Sequence, residues 1–269
     1  MYTFFVGILI GAGAILPGIS SGVFCVIFGI YEKLVNSIVN FFSDWKTNLK
    51  FLLPIILGGI IGIFLFGSAL NYLFTNFYSQ TCFAIMGLIL GSIPSVLKQC
   101  KIPKIKIQHV LCLLLSLSFS IFLVAIEYSL HYQVNYDISF ADLILSGATM
   151  SAGLVIPGVS STVILMIQGI YETYLNAIAS LNLFVLVPMA IGVLIGGFIF
   201  LKLIQFLFKR FRSCTYFAIT GFVLGSIPVL YPGFSFSLEG LVCLIFFLLG
   251  LLVGRFFDHY SNTHEKQRN

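Results

Sequence analysis

The chain has 269 residues, 59% of them apolar and only 9% charged, with a formal net charge of +5 and a mean hydropathy of +1.08. Soluble domains run at about 45–50% apolar and about 25% charged, so a soluble enzyme, a nucleic-acid binder and a secreted disulfide module are all excluded. The basic residues are few and sit in short connections, where they report orientation in a membrane and not a nucleic-acid partner.

Stretches without Asp, Glu, Lys or Arg run over Met1–Tyr31, Phe51–Leu97, Leu143–Tyr171, Thr173–Leu201 and Ser213–Leu238, each long enough for about 20 apolar residues. Runs such as Ile55-Ile56-Leu57 and Phe246-Phe247-Leu248-Leu249 are apolar on every side, unlike the strands of an outer-membrane barrel. The class is therefore an all-α polytopic membrane protein. Met1–Ile10 lacks the basic start of a cleaved signal peptide and reads as retained structure. A hairpin over 2–40 comes first, with legs of residues 4–16 and 20–31 about Pro17-Gly18. Helices over 51–70, 81–97 and 109–127 complete a first unit, 1–130. A second unit, 138–257, repeats the order with a hairpin over 141–180 and helices over 184–203, 215–230 and 240–255. The polar tail 258–269 is expected to be disordered.

The two units are copies. Gly11-Ala12-Gly13-Ala14-Ile15-Leu16-Pro17-Gly18-Ile19-Ser20-Ser21 returns 140 residues later as Ser151-Ala152-Gly153-Leu154-Val155-Ile156-Pro157-Gly158-Val159-Ser160-Ser161, and Gly29-Ile30-Tyr31-Glu32 returns as Gly169-Ile170-Tyr171-Glu172. At an offset of 134, Leu52-Leu53-Pro54 with Gly58 and Gly62 matches Leu186-Val187-Pro188 with Gly192 and Gly196, and Leu90-Gly91-Ser92-Ile93-Pro94 matches Leu224-Gly225-Ser226-Ile227-Pro228. The charge bias swaps between the copies. Lys98, Lys101, Lys104 and Lys106 follow the first Gly-Ser-Ile-Pro block, and nothing basic lies in Val229–Leu238. Conversely, Asn71–Gln80 is uncharged where its counterpart carries Lys209, Arg210 and Arg212. Positive residues favour the cytoplasm, so the swap predicts an inverted-topology repeat with an odd number of crossings per half. Three spans per half are plain, so each Pro-Gly hairpin adds an even number. Its legs of about 20 Å fall short of about 30 Å of hydrocarbon, which predicts re-entrant hairpins with both chain termini cytoplasmic.

Each tip joins a Pro-Gly turn to a Ser/Thr helix start: Pro17, Gly18, Ile19, Ser20, Ser21 and Gly22 in one copy, and Pro157, Gly158, Val159, Ser160, Ser161 and Thr162 in the other. Hydroxyls, unpaired backbone N–H groups and the positive end of the helix dipole suit an anion without a buried cation. Small residues alone would read as close helix packing, which is the expectation for Gly58, Gly62, Gly192 and Gly196. Glu32 and Glu172 are candidates for binding a coupling proton or cation, against an ordinary role as interface anchors. Gln168 is a polar residue in an apolar leg that could face the site, with Phe28 as its counterpart. The four histidines lack metal-ligand spacing, and the six cysteines lack CxxC spacing and read as small core residues. No cofactor is indicated.

Pro17-Gly18-Ile19-Ser20 with Gly29-Ile30-Tyr31-Glu32, and Pro157-Gly158-Val159-Ser160 with Gly169-Ile170-Tyr171-Glu172, resemble the paired signatures of the prokaryotic polyprenyl-phosphate transporter family. Ser21 and Ser161 stand where that family usually has glycine, and Val23 where it has threonine. The resemblance implies a flippase, with the lipid carrier undecaprenyl phosphate as substrate. It would return that carrier from the outer to the inner leaflet of the bacterial cytoplasmic membrane for cell-envelope polymer synthesis, with the headgroup phosphate at the two tips. Two alternatives stay open: a secondary transporter of a soluble anion, which the tip chemistry alone permits equally, and an enzyme resembling undecaprenyl-pyrophosphate phosphatases. The second lacks its chemistry here, because no charged residue lies in either hairpin's interior, about its Pro-Gly tip, to stabilise a leaving phosphate.

Overall fold

A chain surrounded by lipid must satisfy each backbone N–H and C=O within the protein, and helices do so segment by segment. The computed structural model describes residues 2–14, 21–100, 104–129 and 138–266, which form helices and connecting turns and no strand. The first half carries α1 (Tyr2–Ala14), α2 (Ser21–Ile27), α3 (Tyr31–Val39), α4 (Trp45–Asn76), α5 (Tyr78–Lys98) and α6 (Ile107–Ser129). The second carries α7 (Phe140–Val155), α8 (Ser161–Ile167), α9 (Tyr171–Ala179), α10 (Leu183–Gly225), the short α11 (Ile227–Leu230) and α12 (Leu238–Lys266). Among the described residues five helical stretches are long and apolar enough to cross a membrane: Phe41–Phe66, Tyr78–Lys98, Ile107–Ile126, Leu183–Leu230 and Leu238–Phe256. The protein is a multi-pass membrane protein.

The sequence copies share backbone conformation. Gly29 (φ +68°) and Gly169 (φ +71°) both end a seven-residue helix in the left-handed region, where glycine has no Cβ to clash. Each closes the same pair of hydrogen bonds: Gly29 N–H to Val26 O and Ile30 N–H to Cys25 O, then Gly169 N–H to Met166 O and Ile170 N–H to Leu165 O. Phe77 (φ −137°, ψ 46°) and Phe211 (φ −133°, ψ 45°) make the same break. At both breaks a threonine hydroxyl one turn later, Thr81 or Thr215, donates to the carbonyl of the breaking residue, at 2.8 and 2.9 Å.

The expected connection over 71–80 is therefore a single residue, and the expected spans 184–203 and 215–230 share one helix kinked at Phe211. The hairpin legs also differ from expectation. The second legs, α2 and α8, have seven residues each, about 10 Å of helix, because Gly29 and Gly169 stop them early. The polar tail expected to be disordered continues α12 as far as Lys266.

Packing follows the small residues. A Cβ on Gly58 or Gly62 of α4 would strike the Phe4 or Ile8 carbonyl of α1, and one on Gly192 or Gly196 of α10 would strike the Ile144 or Ala148 carbonyl of α7. These four glycines are packing residues. Between the halves the third helices are exchanged. Gly87 and Gly91 of α5 meet α12 backbone at Phe247 and Leu251, while Gly221 and Gly225 of α10 meet α6 at Ser116 and Ser120. The short α2 lies against α5, α12 and α7, so the hairpins of the two halves touch. Four cysteines (Cys25, Cys82, Cys100 and Cys243) are buried and Cys112 and Cys214 partly so, consistent with core packing.

Gly192→Val should abolish monodisperse protein in detergent, since overpacking against rigid backbone costs about 1–3 kcal/mol or more. Gly197→Ala, whose nearest atom would be Ser151 Cβ at 4.0 Å, should keep the wild-type elution profile. Equal yields of the two variants would refute the packing role.

Candidate functional site

The Pro17, Gly18, Ile19 and Ser20 part of the first tip lies outside the described residues. Ser21 opens α2, and Gly22 is buried within it. The second tip is described throughout. Proline has no N–H and fixes its own φ, so α7 ends at Val155 and the chain turns at buried Pro157. Gly158 takes φ +84°, and a Cβ there would strike the Phe222 carbonyl of α10. Only glycine fits this approach, and it seats the turn on α10 at Phe222 and Val223.

Beyond the turn Ser160 caps α8, its Oγ accepting from Val163 N–H at 3.4 Å. The Ser160 and Thr162 hydroxyls are 2.7 Å apart and share one hydrogen bond. Ser161 and Thr162 open α8, where a helix's first turn leaves its N–H groups outside the helix's own hydrogen-bond ladder. Thr162 is exposed, and Ser160 and Ser161 are half-buried. The Ser160 and Thr162 hydroxyls thus sit together at the start of α8, which carries no charged side chain, whereas Ser161 Oγ lies against Gly153 of α7; hydroxyls and N–H groups at a helix start can hold an anion by hydrogen bonding alone.

The remaining candidates separate. Gln168 does not point at the tip: its Nε2 donates to Thr149 Oγ1 of α7 at 2.6 Å, and its Oε1 is buried without a partner among the described residues. Glu32 pairs with Arg212 of α10 at 2.9 Å, with the two side chains 25% and 44% exposed. Buried Tyr216 donates its hydroxyl to the same Glu32 oxygen at 2.8 Å and lies 3.2 Å from Gln99 Oε1. Its counterpart Glu172 is exposed and forms no ion pair among the described residues.

Sequence reasoning missed Tyr31. Its hydroxyl donates at 2.6 Å to the Val155 carbonyl at the end of α7, so the first half's motif residue holds the second half's tip. The signal was present, since Tyr31 and Tyr171 are both in the repeated Gly-Ile-Tyr-Glu block. Arg212 and Tyr216 gave no signal, because their counterparts Tyr78 and Cys82 are chemically unlike them.

A family described as VCA0040-like: Undecaprenyl phosphate translocase-like matches residues 10–242. The chain is 27% identical over 244 residues to a polyprenyl-phosphate transporter of Vibrio cholerae serotype O1, spanning 86% of this chain and 77% of that protein. It is 28% identical over 261 residues to a polyprenyl-phosphate transporter of Staphylococcus aureus, spanning 92% of each. No solved structure matches the chain.

Tyr31→Phe should destabilise the protein by about 1 kcal/mol, because it removes the hydrogen bond to a partly buried carbonyl. A thermal melt in detergent would register this, with Tyr72→Phe, a 61% exposed tyrosine, as the unchanged control. Melting temperatures that agree for both would mean that the Tyr31 bond does not hold the tip.

Proposed function

The chain belongs to the undecaprenyl phosphate translocase-like family, and from that premise we propose that it returns undecaprenyl phosphate from the outer to the inner leaflet of the bacterial cytoplasmic membrane. The family match across residues 10–242 carries this reading. Its relatives are named as transporters, which favours transport over catalysis. Ser160, Ser161 and Thr162, with Pro157, Gly158 and Val159 forming the turn, would bind the headgroup phosphate at the second tip. Pro17, Gly18, Ile19, Ser20, Ser21 and Gly22 would do the same at the first. The prenyl tail would stay in lipid, where its burial is already complete.

The halves would be inverted in the bilayer, with re-entrant hairpins and both termini cytoplasmic. Support comes from the swapped lysine and arginine bias and from the seven-residue second legs, too short to cross. A phosphate held by hydroxyls and N–H groups, without a buried Lys or Arg, binds through several modest contacts. That suits a carrier, which must release its cargo on the other side. Glu32 and Glu172 would be the coupling groups if a proton or cation drives the cycle.

Purified protein should bind undecaprenyl phosphate in preference to undecaprenyl pyrophosphate and inorganic phosphate, and release no phosphate from the pyrophosphate. Ser160→Ala with Ser161→Ala should weaken monophosphate binding by roughly ten- to a hundredfold, as expected for lost hydrogen bonds to a charged group at about 1.5–3 kcal/mol. Binding of inorganic phosphate alone would point to a soluble-anion transporter. Release from the pyrophosphate would point to an enzyme.

A further inference from the structure

Two donors on α10 converge on one oxygen atom. Arg212 Nη2 donates to Glu32 Oε2 at 2.9 Å and the Tyr216 hydroxyl donates to the same oxygen at 2.8 Å, while Glu32 Oε1 accepts nothing among the described residues. A guanidinium matches a carboxylate best through two parallel hydrogen bonds, yet this one meets Glu32 at a single point. Arg212 is 44% exposed and Glu32 25%, so the pair is not sealed. Tyr216 is buried, and its ring packs edge-on against Phe208 with centroids 5.1 Å apart, which fixes the phenol in place.

The carboxylate is brought to a basic region. Residues 45–126 and 173–238 contain no Asp or Glu, while Lys98 ends α5 and Lys209 and Arg210 precede Arg212 on α10. Gln99 follows Lys98 and lies 3.2 Å from the Tyr216 hydroxyl, so the end of α5 adjoins the same cluster. Such a region attracts ligands with more than one negative charge, and a phosphate monoester carries about −1.5 to −2 at neutral pH with three strong acceptor oxygens. The cluster is also aligned with the second hairpin. Arg212, Tyr216 and Val223 follow at intervals of four and seven residues, which is one face of an α-helix, and Gly158 packs on the Phe222 and Val223 backbone. About three turns of α10, roughly 16 Å, separate the two. Tyr31 links them, since it precedes Glu32 and its hydroxyl donates to the Val155 carbonyl.

Resting on the transport reading above, we infer that Arg212 and Tyr216 form a second phosphate-binding station, whose donors the Glu32 carboxylate holds until a phosphate group displaces it. The second tip offers hydroxyls and N–H groups without a cation, whereas this station offers a guanidinium and a phenol at the basic end of α10. Glu32 competes for the same two donors, so it sets how tightly the phosphate is held there.

Binding of geranyl monophosphate and of inorganic phosphate to the purified full-length protein tests this, with geraniol as the uncharged control. Glu32→Gln removes the competing charge and should bind geranyl monophosphate at least threefold more tightly than wild type. Arg212→Gln should bind it at least threefold more weakly, and the double variant should match Arg212→Gln. A salt bridge that serves packing alone would give no gain in Glu32→Gln. In wild-type protein, which needs no variant to fold, bound geranyl monophosphate should slow phenylglyoxal modification of Arg212 at least threefold, read by peptide mass spectrometry. Modification of exposed Arg255 should be unchanged. Gain and protection with inorganic phosphate alone would uphold the station and refute the lipid reading. Absence of either the gain or the protection, in protein that still binds geranyl monophosphate, would overturn the station and leave the transport reading standing. Binding of neither phosphate would overturn both.

Discussion

A helix that stops inside an apolar medium leaves carbonyl groups that water cannot reach, and each must find a partner within the protein. This constraint governs the centre of the molecule. The Val155 carbonyl at the end of α7 is met by the Tyr31 hydroxyl from the other half, and that one bond fixes where α3 must lie. Once Tyr31 is placed, its helical neighbour Val35 shares the buried face. Glu32 and Asn36 then project toward α10, where Arg212 and Gln205 receive them. The breaks at Phe77 and Phe211 answer the same demand locally, with threonine hydroxyls serving the interrupted carbonyls.

The long helices are held differently. Lipid tails are as apolar as leucine, so helices in a bilayer associate through close backbone approach at small residues. Gly58 and Gly62, Gly192 and Gly196, Gly87 and Gly91, and Gly221 and Gly225 all sit where a Cβ would strike a neighbouring helix. Such contacts bring the backbones of the pairs α1–α4, α7–α10, α5–α12 and α6–α10 close together. The short helices α3 and α9 follow left-handed glycines and use aromatic, amide and ionic contacts instead. The long and the short helices are thus distinguished by the chemistry of their contacts.

Much of this was legible in the sequence. Apolar run length gave the helices, the doubled Pro-Gly and Gly-Ile-Tyr-Glu blocks gave the copies, and glycine spacing gave the packing pairs. The break at Phe77 was not legible, because neither Asn76-Phe77-Tyr78 nor Arg210-Phe211-Arg212 carries the Gly or Pro that usually marks one. The early end of α2 at Ile27 was signalled by Gly29, but the apolar run through Tyr31 masked it. Gln168 was misplaced because a single polar residue in an apolar leg does not reveal which neighbour it faces; Thr149 lies 19 residues away on α7. Contacts between the halves, such as Tyr31 with Val155 and Glu32 with Arg212, depend on how the copies interleave, which no local pattern encodes.

The copies also differ in the chemistry around their repeated glutamates. The contacts between α3 and α10 include an ion pair and a tyrosine hydroxyl, Glu32 with Arg212 and Tyr216. At the counterpart positions around Glu172 the chain has Tyr78 and Cys82, which supply no cation. A partly exposed ion pair adds up to about 1 kcal/mol, and a hydrogen bond to its carboxylate about 1.5–3 kcal/mol more, so the ionic part of the hold on α3 has no counterpart in the sequence around α9.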